Sequence, residues 1–180
     1  IWWRNSELNF ASLKALLSSL EAYPTFNFMR RKVGALDSLC LNHLSEISSI
    51  KNKINNKEAL ILLWDVCQIP DFSNSLSGVH FSLLEKTFEL LLANGKLDNE
   101  WIKSQLNRLN RFDGEIDTLL NRISNIRTWT FITNRQKWID ESEYWQNEAK
   151  TIEDKLSDEL HNRLTQRFVD KRIVILNKTL

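Results

Sequence analysis

The sequence predicts an all-α fold, a multi-helix bundle of about seven helices with a long C-terminal helix and no sheet, and three observations carry that prediction. Apolar residues recur at helical spacing through nearly the whole chain. Glycine (4) and proline (2) are far scarcer than in an ordinary chain of 180 residues, which disfavours turn-rich β architecture. Between Asp140 and Leu180 neither occurs, and Ile152, Leu156, Leu160, Leu164 and Phe168 fall four apart.

Taken in order, the first helix is expected within Ser6 to Tyr23, where Leu13, Leu16, Leu17 and Leu20 form a stripe that Pro24 stops. A second runs from Asn27 to about Ile47 through Met29, Val33, Leu36, Leu39, Cys40 and Leu44, with Arg30, Arg31 and Lys32 in its first turn. Basic residues there oppose the helix dipole, so the cluster reads either as a solvated face or as a partner's contact. The polar stretch Ser48 to Lys57 is the linker expected to separate an N-terminal helical pair, 1–50, from a main helical region, 57–180. Glu58 to Cys67 is apolar almost all round and therefore reads as buried, ending at Pro70.

One of Ser73, Ser75 or Ser77 is placed to cap a helix reaching Ala93, with Asn94 and Gly95 as its left-handed stop. Asp98 or Asn99 opens a short helix that turns Trp101, Ile102, Leu106 and Leu109 inward; Asp113 and Gly114 make the next turn. From Glu115 to about Thr133 the stripe Ile116, Leu119, Leu120, Ile123, Ile126 and Thr130 includes Arg127. A guanidinium on that side needs a carboxylate, and Asp158 and Glu159 are the expected partners. The last helix concentrates acid in its first half and Arg163, Arg167, Lys171, Arg172 and Lys178 in its second, which complements the dipole and suits an exposed face.

Function classes are mostly excluded. No glycine-rich loop precedes a lysine and a hydroxyl residue, so nothing cradles phosphates; Asn94-Gly95-Lys96 is too short. Cys40, His43, Cys67 and His80 lack the paired spacing of a zinc site, and no metal site is expected. No nucleophile elbow or other catalytic constellation is present. The two cysteines lie on apolar stripes, which suits a reducing compartment. No apolar run approaches the ~18 to 20 residues that span a bilayer and no secretory signal opens the chain, so a soluble protein without a membrane partner is expected. The first residue is Ile1 and helical pattern persists to Leu180, so both ends read as cut from something longer.

A net charge of +1 gives no global argument for nucleic acid, and any contact must be local. The strip IRTWTFITNRQKW interleaves Arg127, Trp129, Arg135, Lys137 and Trp138, the residue types that stack bases and follow phosphates. The same spacing also reads as tryptophans anchoring the core where two helices meet.

Three motifs go beyond spacing: LLWDVCQIPDF (Leu62 to Phe72), RFDGEIDTLLNRISNIRTWTFITNR (Arg111 to Arg135) and IEDKLSDELHNRLTQRFVDKR (Ile152 to Arg172). Together they resemble the C-terminal helical region of bacterial relatives of the mitochondrial degradosome RNA helicase. The resemblance implies a parent chain with superfamily-two DExH-type motor domains upstream of Ile1, which would bind ATP and Mg and hydrolyse ATP in RNA degradation. It implies no catalytic residue or cofactor within the present stretch. The expected partners are the upstream motor domains, single-stranded RNA and, on a rival reading as a protein-interaction scaffold, an exonuclease. The compartment would be the bacterial cytoplasm, or the mitochondrial matrix in a eukaryote. The residues expected at RNA are Trp129, Arg135, Lys137, Trp138, Arg163, Arg167, Lys171 and Arg172.

Overall fold

The structure, a computed structural model, describes residues 1–73, 75 and 77–179; Leu180, the expected end of the last helix, lies outside the described residues. Eight helices and one two-residue ladder make up the described regular structure. The chain divides into two compact units, the first built on Ile1–Asp71 and Ser75–Gly95, the second on Lys96 onward.

In the first unit, β1 (Trp2–Trp3) pairs in parallel with β2 (Arg30–Arg31), Trp2 opposite Arg30 and Trp3 opposite Arg31. This is a departure from the expected absence of sheet. Helix α1 (Leu13–Leu20) starts later than Ser6, because the side chains of Asn5 and Asn9 accept from the amides of Glu7 and Ala11 and hold that segment in local turns. Ser12 then caps the helix, its Oγ accepting from the Ala15 amide at 3.0 Å.

Helix α2 (Leu36–Glu46) likewise starts well after Asn27. Gly34 takes a left-handed φ of 71°, through which no right-handed helix continues, and Arg30–Arg31 are extended in the ladder. The expected basic first turn is therefore a strand. Asp37 in the true first turn is held by both terminal nitrogens of Arg4 at 2.7 Å, and that guanidinium lies 5.5 Å from the centroid of the Trp64 ring.

The polar stretch expected to divide the chain lies inside the first unit. It contains α3 (Ser48–Lys51), pinned by the fully buried Ile50, and Asn56, whose side chain caps α4 (Lys57–Cys67) at the Ala59 amide. The compact division falls after Gly95 instead. Helix α4 buries Ala59, Leu60, Leu63, Trp64, Val66 and Cys67 around most of its circumference, in line with its nearly all-apolar sequence. Helix α5 (Gly78–Asn94) follows Ser77, whose side chain makes no capping bond, and ends on the left-handed Gly95. Helix α2 packs on α1, α3, α4 and α5, around a core in which Leu16, Leu41, Leu44, Ile50, Leu63, Leu84 and Phe88 are fully buried.

The second unit contains α6 (Asn99–Leu109), α7 (Ile116–Thr133) and α8 (Ser142–Thr179). Helices α7 and α8 form an antiparallel hairpin closed at both ends. Where α7 ends, its otherwise orphaned Thr133 carbonyl accepts from Ser142 Oγ at 2.6 Å and from Gln146 Nε2 at 3.3 Å; where it begins, Arg163 donates to the Gly114 carbonyl at 3.1 Å. Trp145, Ala149, Ile152 and Leu156 of α8 are buried, as are Leu119, Ile123, Ile126, Trp129 and Ile132 of α7. Each fully buried Leu or Ile contributes about 1.5 to 3 kcal/mol of transfer free energy. Helix α6 completes the unit through a T-shaped Trp101–Trp129 contact with centroids 5.2 Å apart and through Asn99, whose Oδ1 accepts from Trp145 Nε1 at 3.2 Å. The Leu97 amide donates to the Trp138 carbonyl at 2.7 Å, and Lys96 pairs with Asp140 at 3.0 Å.

The two helices of the hairpin differ twofold in length. The 38 residues of α8 extend about 57 Å at 1.5 Å per residue, against about 27 Å for the 18 residues of α7. No described helix is long and apolar enough to cross a membrane.

Candidate interaction surface on the last helix

The aromatic and basic strip after Ile126 is a core junction. Trp129 and Trp138 are only 3% and 7% exposed, so neither offers a ring face to a base. Arg135 is half-buried over Phe131 and Trp138, at 5.2 and 5.0 Å from their ring centroids, with its Nε buried and without a hydrogen-bond partner among the described residues. Of this strip's expected RNA contacts only Lys137 is exposed.

Arg127 also stands differently from expectation. It donates from Nε to Glu153 at 2.9 Å and its side chain is 52% exposed. Glu159 pairs instead with Arg163 at 2.7 Å, and Asp158 is exposed. The reason is rotation of the buried face. Trp129, Ile132 and Thr133 draw it to one flank of α7, which leaves Leu120 and Arg127, seven residues apart, on the other.

Along α8 the buried positions step by four, three and four, from Trp145 to Ala149, Ile152 and Leu156, and so stay on one line. The stripe of strict four-residue steps does not. Each such step advances about 40° beyond a full turn; Leu160 is half-buried, and Leu164 and Phe168, beyond the cover of the shorter α7, are 48% and 62% exposed. Every residue in 161–178 is exposed.

That arm carries Arg163, Arg167, Lys171, Arg172 and Lys178 against the single carboxylate Asp170. Arg163 is already engaged, by Glu159 and by the Gly114 carbonyl. With Arg167 it borders an open cleft of about 510 Å³, shared with the carboxylates Glu115, Asp117 and Asp170. Arg167, Lys171 and Arg172 are exposed and lack a carboxylate partner among the described residues; Arg172 lies 5.9 Å from the Phe168 centroid. Interleaved with these cations, Val169, Ile173, Val174, Ile175 and Leu176 are all more than two-fifths exposed. The arm can therefore offer both phosphate contacts and apolar packing.

Burial shifts the buried reactive groups of the first unit toward their neutral forms. Burial, with Asp37 and Asp71 adding to it, pushes the Cys40 thiol up to about 12, and burial raises Cys67 as well. Burial likewise pushes the His80 pKa down against the opposing influence of Asp71. His43 is exposed and stacks on Phe81 with centroids 3.8 Å apart. Among the described residues no group of three or more His, Cys, Asp or Glu side chains could hold a metal. Asn94–Lys96, the one short turn followed by a lysine that the sequence offers, is a helix stop with Lys96 paired to Asp140.

Sequence spacing misses a second exposed cluster in the first unit: Trp2, Tyr23, Phe26 and Phe28, next to Arg30, Arg31 and Lys32. Its signal is the run between Pro24 and Gly34, whose breakers bracket Phe26, Phe28 and the three cations where a helix from Asn27 is expected. Comparison with described protein families, curated proteins and solved structures finds no match to this chain.

Proposed function

We propose that this chain is the C-terminal accessory region of an ATP-dependent RNA helicase, and that the distal part of α8 is where it meets the motor domains and their RNA. The observation that carries this reading is the wholly exposed, basic and apolar arm at 161–178. Part of it lies in the motif IEDKLSDELHNRLTQRFVDKR, one of the three that resemble the helicase family. Apolar residues all round a helix call for burial in another protein surface, while cations without carboxylate partners suit phosphates. ATP and Mg binding, ATP hydrolysis and strand separation belong to the upstream motor domains. The setting is RNA degradation, in the bacterial cytoplasm or the mitochondrial matrix.

The consecutive apolar residues Ile173 to Leu176 favour a second reading, in which the arm recruits a protein such as an exonuclease without touching nucleic acid. One experiment separates the two. Arg167→Glu and Lys171→Glu are introduced together into the whole helicase, and RNA affinity is measured across a salt series. The accessory reading expects weaker binding and a salt slope shallower by roughly 0.7 for each single-strand phosphate that is no longer neutralised. Unchanged affinity and slope in a folded protein would remove RNA from the reading and leave the recruitment role.

A further inference from the structure

The exposed cluster in the first unit has a different chemistry from the α8 arm. Trp2, Tyr23, Phe26 and Phe28 are 72%, 76%, 57% and 62% exposed, far more than large aromatic side chains ordinarily are in a folded domain. They are held, not merely present. Phe26 and Phe28 stack with centroids 5.4 Å apart and planes 25° apart. The Arg31 guanidinium lies 4.6 Å from the centroid of the Tyr23 ring while donating to the Glu21 carbonyl at 2.7 Å. The ladder bonds Arg30 N to Ile1 O and Lys32 N to Trp3 O fix the Trp2 backbone opposite Arg30.

Charge completes the pattern. Between Glu21 and Asp37 the chain carries Arg30, Arg31 and Lys32 and no carboxylate, and Asp37 is taken by Arg4. Arg30 and Lys32 have no carboxylate partner among the described residues. Both are exposed. Open ring faces beside uncompensated cations are the two ingredients of single-strand recognition, since every base has a π-face to stack and every linkage a charge to neutralise. A partner protein or an anionic membrane would use the same cations, and Ile1 and Val33 are exposed aliphatics at the edges, but the large exposed side chains beside the cations are the four aromatic rings.

We propose that this surface is a stacking platform for single-stranded nucleic acid, with bases on Trp2, Tyr23 and the Phe26–Phe28 pair and phosphates at Arg30 and Lys32. It is built from first-unit residues alone and shares none with α8, so the two readings fail independently.

The test titrates the 180-residue chain against fluorescein-labelled oligouridylate and oligothymidylate of about twelve nucleotides, within the usual site sizes. Anisotropy is read across a salt series. Trp2→Ala and Phe28→Ala should each weaken binding about ten-fold, and Arg30→Glu with Lys32→Glu should flatten the salt slope by about 0.7 per phosphate. These side chains are all exposed, so far-ultraviolet circular dichroism should stay at parental values. Binding of either oligonucleotide with these losses supports the platform, and any difference between them reports the 2′-hydroxyl and the thymine methyl together.

Parental affinity in the aromatic variants overturns the platform. If affinity falls only with Arg167→Glu and Lys171→Glu, the α8 reading survives alone. Absence of binding to both oligonucleotides also overturns it. Binding to vesicles of phosphatidylcholine and phosphatidylglycerol without oligonucleotide binding would assign the aromatics to a lipid surface instead.

Discussion

The two halves of α8 are continuous in backbone and alike in apolar content, yet one is core and the other is surface. From Ser142 to about Leu160 the helix lies along α7 and buries Trp145, Ala149, Ile152 and Leu156; beyond it every described side chain is exposed. The difference comes from length, since α7 ends its cover about 30 Å short of the reach of α8. Apolar periodicity shows that a stripe exists. What covers the stripe is decided by another helix.

The largest expected effect attacks that contrast directly. Leu156→Ala removes a fully buried side chain and should cost about 2 to 5 kcal/mol, whereas Phe168→Ala, three turns along the same helix, should stay within about 0.5 kcal/mol. Urea denaturation of the two variants measures both. Equal losses would mean that the distal half is packed in solution.

The contrast between covered and uncovered groups also has a pH signature in the first unit. His80 is 5% exposed and its Nε2 has no hydrogen-bond partner among the described residues, while His43 is exposed. The native His80 pKa is lowered by burial, so the unfolded chain takes up the proton first as pH falls. Its neutral burial is therefore free of penalty above about pH 6.5, and stability falls below that by up to about 1.4 kcal/mol per pH unit until the native pKa is reached. Urea denaturation at pH 7.5 and 5.5 should show this fall, and His80→Gln should reduce it. A fall of the same size in the variant would assign the pH dependence to other groups.

Smaller effects are expected where pairing is solvated. Arg127→Ala should cost at most about 1 kcal/mol, since the Glu153 pair is half-exposed. A loss near 3 kcal/mol would restore the buried pair expected from the sequence. Smallest of all is a gain: Glu141 enters α8 with φ at 55°, and Glu141→Gly should stabilise by about 1 kcal/mol or less. Thermal denaturation reads both changes.

Much of the architecture is legible in the sequence because it is local. The Asn94–Gly95 stop, the Asp98 cap and the apolar circumference of α4 depend on neighbours within a few residues. The boundary between units is not legible, because α4 and α5 join the first unit by packing on α2, which no spacing records. The site divides in the same way. Lys171 and Arg172 are exposed as a charged helix end suggests, but Trp129 and Trp138 share their residue types with stacking surfaces and are buried, Trp129 against Trp101 of α6 and Trp138 beneath Arg135. Phe28 falls within the helix expected from Asn27, which the left-handed Gly34 rules out, and Trp2 lies before any helical period, so spacing says nothing of its exposure.

The central claim, that the distal half of α8 is a surface awaiting a partner, is tested most directly by amide hydrogen exchange with mass spectrometry over 161–178. The comparison is between the 180-residue chain alone and the same chain within its proposed parent, with single-stranded RNA bound. The account predicts fast exchange of that segment beside a protected 145–156 in the chain alone, and strong protection of both in the assembly. Equal exchange of 161–178 in the two states would contradict it.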